Sequence, residues 1–194
     1  MNNSLPTDFE IALFANQQAW RKWLAKQHTK SAGLWLRFAK KNSGLTSVTY
    51  EEALDVALCY GWIDGLKKKY DEQTFMLRFT PRGARSIWSK INRNKATALI
   101  ESNQMQPAGL AAIERAKTNG QWDAAYDSQS KITVPDDLQA ALDKNAKAKK
   151  FFATLNSVNR YAILFRLQTA VKPDTRAKRL QQFVEMLERG EKLH

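Results

Sequence analysis

Cysteine and histidine are scarce here: one Cys and two His among 194 residues. A lone Cys59 excludes a disulfide within the chain and any multi-cysteine metal site. Set among Leu58, Tyr60 and Trp62, it reads as a core residue in a reducing, cytoplasmic setting. A Ser-His-acid or Cys-His device would have to rest on His28 alone, because His194 ends the chain. Neither residue type recurs at metal-ligand spacing, and the glycines form no phosphate loop or dinucleotide fingerprint. No metal and no cofactor is therefore expected. The opening MNNSLPTDFEIALFANQQAW lacks the basic and long apolar regions of a secretory signal, and no apolar run is long enough to span a bilayer. Membrane insertion is not expected.

What is present is enough apolar material, 43% of the chain, for one proper core or a core with a smaller helical appendage. Basic residues exceed acidic ones by 12. The excess is spread over residues 1–81, 82–134 and 135–194 alike. Diffuse positive charge favours a solvated basic surface with weak affinity for polyanions, and dedicated nucleic-acid binding is the lesser reading.

Residues 8–27 have apolar spacing that reads as one helix or two short ones, and Gly33–Lys41 alternates like a half-buried strand ended by a basic pair. Thr49 with Glu52 makes a capping box for a helix along Ala53, Leu54, Ala57 and Leu58. Leu66–Tyr70 and Thr74–Thr80 read as a hairpin around Asp71, Glu72 and Gln73. Beyond Ser86 the pattern is helical over 86–102 and from Pro107 to Lys117. A polar linker over 127–133 follows, then helices over 135–142, 146–155, 158–169 and 173–189. The fold class is α+β: a small antiparallel sheet of about three strands with packed helices in the N-terminal half (1–126), and a helical C-terminal half (134–194).

The stretch from Gly61 to Asn92, GWIDGLKKKYDEQTFMLRFTPRGARSIWSKIN, concentrates the residues that need explaining. Arg82, Arg85, Lys90, Arg93 and Lys95 stand without an acid among them, interleaved with Ser86, Trp88, Ser89 and Asn92. Such a set suits an anion. Asp64 sits where the chain must turn and either caps that turn or pairs with Arg78 or Arg82. Trp62 and Trp88 read as core anchors, and Arg176, Lys178 and Arg179 as a solvated face.

The motifs GWIDG, RFTPRGARSIWSKIN, MQPAGLAAIERAKTNGQWDAAY and NRYAILFRLQTAVKPDTRAKRLQQFVEMLERGEKLH resemble the YdeI/OmpD-associated protein family, also labelled bacteriocin-protection proteins. The resemblance runs over nearly the whole chain. It implies a setting in bacteriocin protection or stress resistance and a link to an outer-membrane porin, which without a secretory signal would be indirect or cytoplasmic. It implies no reaction.

Together these features point to a cytoplasmic protein that binds an anionic small molecule or a protein partner rather than catalysing a reaction. The expected surface is a groove between the hairpin and a helix start at Ser86, lined by Asp64, Arg78, Arg82, Arg85, Ser86, Trp88, Ser89 and Asn92. Arg82 and Arg85 would fork onto the anion and Trp88 would form an apolar wall. An enzyme acting on a phosphorylated or nucleotide-like molecule, with Asp64 as general base, is the alternative from another class. The third is a nucleic-acid-binding protein.

Overall fold

The alternation of Leu34, Leu36 and Phe38 builds strand β2 (Leu34–Ala39), and the two runs around Asp71 build the hairpin of β3 (Trp62–Lys69) and β4 (Thr74–Pro81). The computed structural model describes residues 8–194. The fold is α+β, and among the described residues a four-stranded sheet forms in the order β1-β2-β4-β3, where β1 is Ile11–Leu13. Register pairs Leu34 with Phe79, Leu36 with Leu77 and Phe38 with Phe75, so these side chains share one face.

Residues 8–27 depart from the helical reading. Their first part is β1, which pairs in parallel with β2 and makes the sheet mixed rather than purely antiparallel. The helix α1 begins only at Gln17 and runs to Gln27, because the Asn16 side chain accepts the Ala19 N–H at 2.9 Å and caps it. Trp20 of α1 lies edge-on to Phe79, with ring centroids 5.7 Å apart, and its indole N–H donates to the Ala53 carbonyl at 3.0 Å. The expected capping box of Thr49 and Glu52 opens helix α2 (Tyr50–Cys59), whose Ala53, Leu54, Ala57 and Leu58 enter the core with Cys59. Burial pushes the Cys59 thiol up, which keeps it protonated and inert.

Residues 8–86 form one compact unit together with Asn94–Arg115, and Ile87–Arg93 form a second with Ala116–His194. In the first unit α2 is followed two residues on by Gly61, which has φ +71° and whose Cβ, if present, would come within 2.7 Å of the Ala108 carbonyl oxygen. Gly109, in helix α4 (Pro107–Thr118), lies as tightly against the Leu58 and Cys59 carbonyls. The junction is completed by Trp62, whose indole N–H donates to the His28 carbonyl at 3.2 Å. GWIDG thus works first as a packing motif.

In the second unit, helices α5 (Asp136–Asp143), α6 (Ala146–Thr154), α7 (Ser157–Gln168) and α8 (Pro173–Glu188) match the expected spans within a few residues. Leu138, Leu142, Phe152, Ile163, Leu167 and Leu187 are central to their shared core. The segment 127–133, which polarity marks as a linker, is fastened at its start. Asp127 accepts from Lys90 and from Gln168, each at 2.7 Å, and its own N–H donates to the Gln168 side chain.

Arg176 and Arg179 are not a solvated face. They donate to the Leu167 and Arg166 carbonyls at 2.8 and 2.6 Å, where the last turn of α7 leaves its acceptors without helical partners. Arg176 also forks onto both oxygens of Asp137, at 2.7 and 2.9 Å. That fork, aided by the guanidinium charge, holds the Asp137 carboxyl below its ordinary value of 3.8. Because the native value is the lower one, the stabilisation is complete above the ordinary value and is lost as pH falls through the native one. Asp137→Asn should therefore be less stable than the wild type by a constant margin above about pH 5, and the margin should vanish toward about pH 2. Urea titrations of both proteins across that range check this.

Candidate functional site

The residues picked out by the sequence occupy two units. Asp64, Arg78, Arg82, Arg85 and Ser86 belong to the first, while Trp88, Ser89 and Asn92 belong to the second. Asp64 on β3 accepts the Tyr50 hydroxyl at 3.0 Å rather than pairing with Arg78 or Arg82. Arg78 on β4 faces Asp8 at 3.7 Å. Arg82 is only 5% exposed and its backbone N–H donates to the Gly61 carbonyl at 2.8 Å. Arg85, by contrast, is exposed, so the two guanidiniums have different surroundings.

Ser86 does not begin a helix: its N–H closes a turn on the Gly83 carbonyl, and helix α3 runs from Lys90 to Glu101. The start is set three residues past Ser86 by Ser89, whose hydroxyl accepts the Asn92 N–H at 3.1 Å. Trp88 is 2% exposed with its ring edge-on to Trp122 at 4.9 Å, as a core anchor would be. Ile91, in the first turn of α3, is 53% exposed.

A different constellation lies at one end of the sheet. Strands β2 and β3 both run antiparallel to β4 and flank it, so their C-terminal ends come out together beside the first residues of β4. Each of those ends is basic: Lys40 and Lys41 after β2, and Lys67, Lys68 and Lys69 in β3. The five lysines and Phe75 line an open groove of about 530 Å³. Lys67 lies over the Phe75 ring at 4.2 Å, and Lys68 reaches the opposite face of the sheet, 5.4 Å from the Trp35 ring centroid.

The acids of the hairpin are engaged in building it. Asp71 accepts from the Gln73 and Thr74 N–H groups and the Thr74 hydroxyl, and pairs with Arg37 at 3.0 Å. Partial burial opposes its ionisation, but these bonds prevail and lower its pKa. Glu72 pairs with Lys69, and this bond with the Lys69 charge also lowers its pKa. Lys40 donates to the carbonyls of Asp71 and Glu72 at 2.9 and 3.0 Å, which pins the β2 end to the hairpin tip. Among the described residues, no ion pair takes up Lys41, Lys67 or Lys68.

A second groove, about 440 Å³, adjoins the first and shares Ala39, Lys40, Lys41 and Phe75 with it. Its remaining walls include Leu45, Val48 and Tyr50 together with the hydroxyl-bearing Thr46 and Ser47. Asp64, one of the sequence-chosen residues, bonds to a lining side chain here, through Tyr50. The lysine cluster was visible in the sequence only as two separate runs, AKK and LKKK. What joins them is the strand order.

Among the described residues no group of three or more His, Cys, Asp or Glu side chains could hold a metal ion, and no helix is long and apolar enough to cross a membrane. Residues 12–112 match a family model described as a domain of unknown function, DUF8412. Residues 131–190 match the model described as bacteriocin-protection, YdeI or OmpD-associated. The resemblance read from the sequence thus holds over the helical segment, while GWIDG and RFTPRGARSIWSKIN fall within the other match. No curated protein and no solved structure matches the chain.

Proposed function

Given that the chain belongs to the DUF8412 family, whose description names no activity, we propose that it is a cytoplasmic binding protein for an anionic ligand. The observation that carries this reading is the groove at the sheet end, where Lys40, Lys41, Lys67 and Lys69 come together and the two nearby carboxylates are already bound within the hairpin. Such a surface attracts anions from a distance and holds them by several ammonium contacts at once. The match of residues 131–190 to the bacteriocin-protection model supports the further reading that the binding serves protection against bacteriocins.

Calorimetric titration of the whole protein with inorganic tripolyphosphate tests the reading. Binding is expected at low ionic strength and should weaken severalfold when salt is raised to about 0.3 M, because exposed charges are screened. Absence of binding at low salt would refute an anion site.

A further inference from the structure

Resting on that reading, we infer that the anion is carried by an acidic, extended segment of a protein partner, which adds as an antiparallel strand to the outer edge of β3. The sheet ends at β3, and among the described residues no other strand pairs with its outer side. Gly65 to Lys69 are exposed there. Register pairs Lys67 with Leu77, Lys68 with Met76 and Lys69 with Phe75, and the Tyr70 N–H donates to the Thr74 carbonyl at 3.4 Å. Hydrogen-bonding direction alternates along an antiparallel strand. Lys68 therefore bonds to β4, whereas the N–H and C=O groups of Lys67 and Lys69 point outward, as a strand-adding peptide requires.

The charges follow the same register. Lys67 and Lys69 stand two positions apart on one strand, so their side chains share a face at a spacing of about 7 Å. Acids at alternate positions of an extended chain repeat at that spacing, and in an antiparallel pair each lies directly opposite a lysine. Lys40 and Lys41, at the neighbouring end of β2, add to the positive field. Lys69 already holds Glu72 in an exposed pair, which a partner's carboxylate exchanges for at little cost. Exposed lysines on an edge strand repel a second copy of the same edge, so self-pairing is opposed while an acidic strand is admitted. The bulge between Asp64 and Lys67 interrupts regular pairing, which limits the partner to a short segment.

The test is calorimetry of the whole protein with an acetylated and amidated hexapeptide of alternating Glu and Thr, and with two analogues. One analogue is N-methylated at its glutamates, the other at its threonines, and all three peptides carry the same charge. The parent should bind at low ionic strength. Methylation at the glutamates, whose N–H groups face Lys67 and Lys69, should weaken binding at least about tenfold through lost hydrogen bonds. Methylation at the threonines, whose N–H groups face away, should change it little. Hydrogen exchange at the Lys67 and Lys69 amides should slow at least about tenfold when the parent peptide is saturating. Equal binding of the parent and the glutamate-methylated peptide would reduce the interaction to side-chain charge, overturn the added strand and leave the anion reading standing. Equal weakening by both analogues would overturn the added strand as well. Binding of tripolyphosphate without binding of the parent peptide would overturn this inference alone, and failure of both to bind would overturn both readings.

Discussion

Lys41→Glu combined with Lys67→Glu is expected to weaken tripolyphosphate binding by at least about 30-fold. At about 4 Å a pair of unit charges interacts by about 1 kcal/mol in water. Reversing a lysine turns that attraction into repulsion, about 2 kcal/mol per residue and about 4 for two. Screening by salt roughly halves the sum, and the remaining 2 kcal/mol corresponds to about 30-fold. Both side chains are exposed, so the fold should survive the change. The control is Lys131→Glu with Lys178→Glu, which alters net charge by the same amount at exposed positions of the helical unit. If the control lowers affinity as much as the groove variant, binding follows total charge and the groove is not a site.

Gly109→Ala should lower stability by about 3 kcal/mol, against what helix propensity alone predicts. Gly109 lies in the first turn of α4, and in an open helix Ala would be better than Gly by about 1 kcal/mol. Here the added methyl would meet the Leu58 and Cys59 carbonyls, which are backbone atoms and cannot swing away. Overpacking of this kind costs about 1–3 kcal/mol, and more where the neighbours are rigid. Gly61→Ala should do comparable harm from the other side of the same junction, by left-handed strain of about 1–2 kcal/mol added to its approach to Ala108. For a chain of this length, 3 kcal/mol corresponds to a fall in melting temperature of roughly 6–12 °C. A rise in melting temperature for Gly109→Ala would show that α2 and α4 do not meet so closely.

The elements that depend on local signals were legible in the sequence. The capping box at Thr49, the alternation of β2, Pro107 at the start of α4 and the four helices after residue 135 each rest on neighbours within a turn or two. Where tertiary pairing decides, the sequence misled. Residues 11–13 have helical spacing yet become a strand because β2 offers a free edge, and Ser89 rather than Ser86 caps α3. Arg176 and Arg179 looked solvated because the carbonyls they satisfy come from another helix.

The site shows the same division. Bases between Arg82 and Lys95 are dense in sequence, but the fold buries Arg82, leaves Arg85 in solvent and assigns Trp88 to a core. Lys41 and Lys67 lie 26 positions apart in sequence and are neighbours only because β4 is inserted between β2 and β3. No periodicity encodes that order. Basic runs at the ends of two strands are the one signal that could have suggested it, and only once both strands had been placed on either side of the hairpin partner.

The most direct measurement is the backbone amide NMR spectrum of the isotope-labelled protein, titrated with tripolyphosphate. Shifts confined to residues 39–41, 67–69 and 75 are the result expected of an anion site at the sheet end. Shifts centred on Arg82 to Asn92, or spread over the helical unit with no change at the lysines, would contradict it.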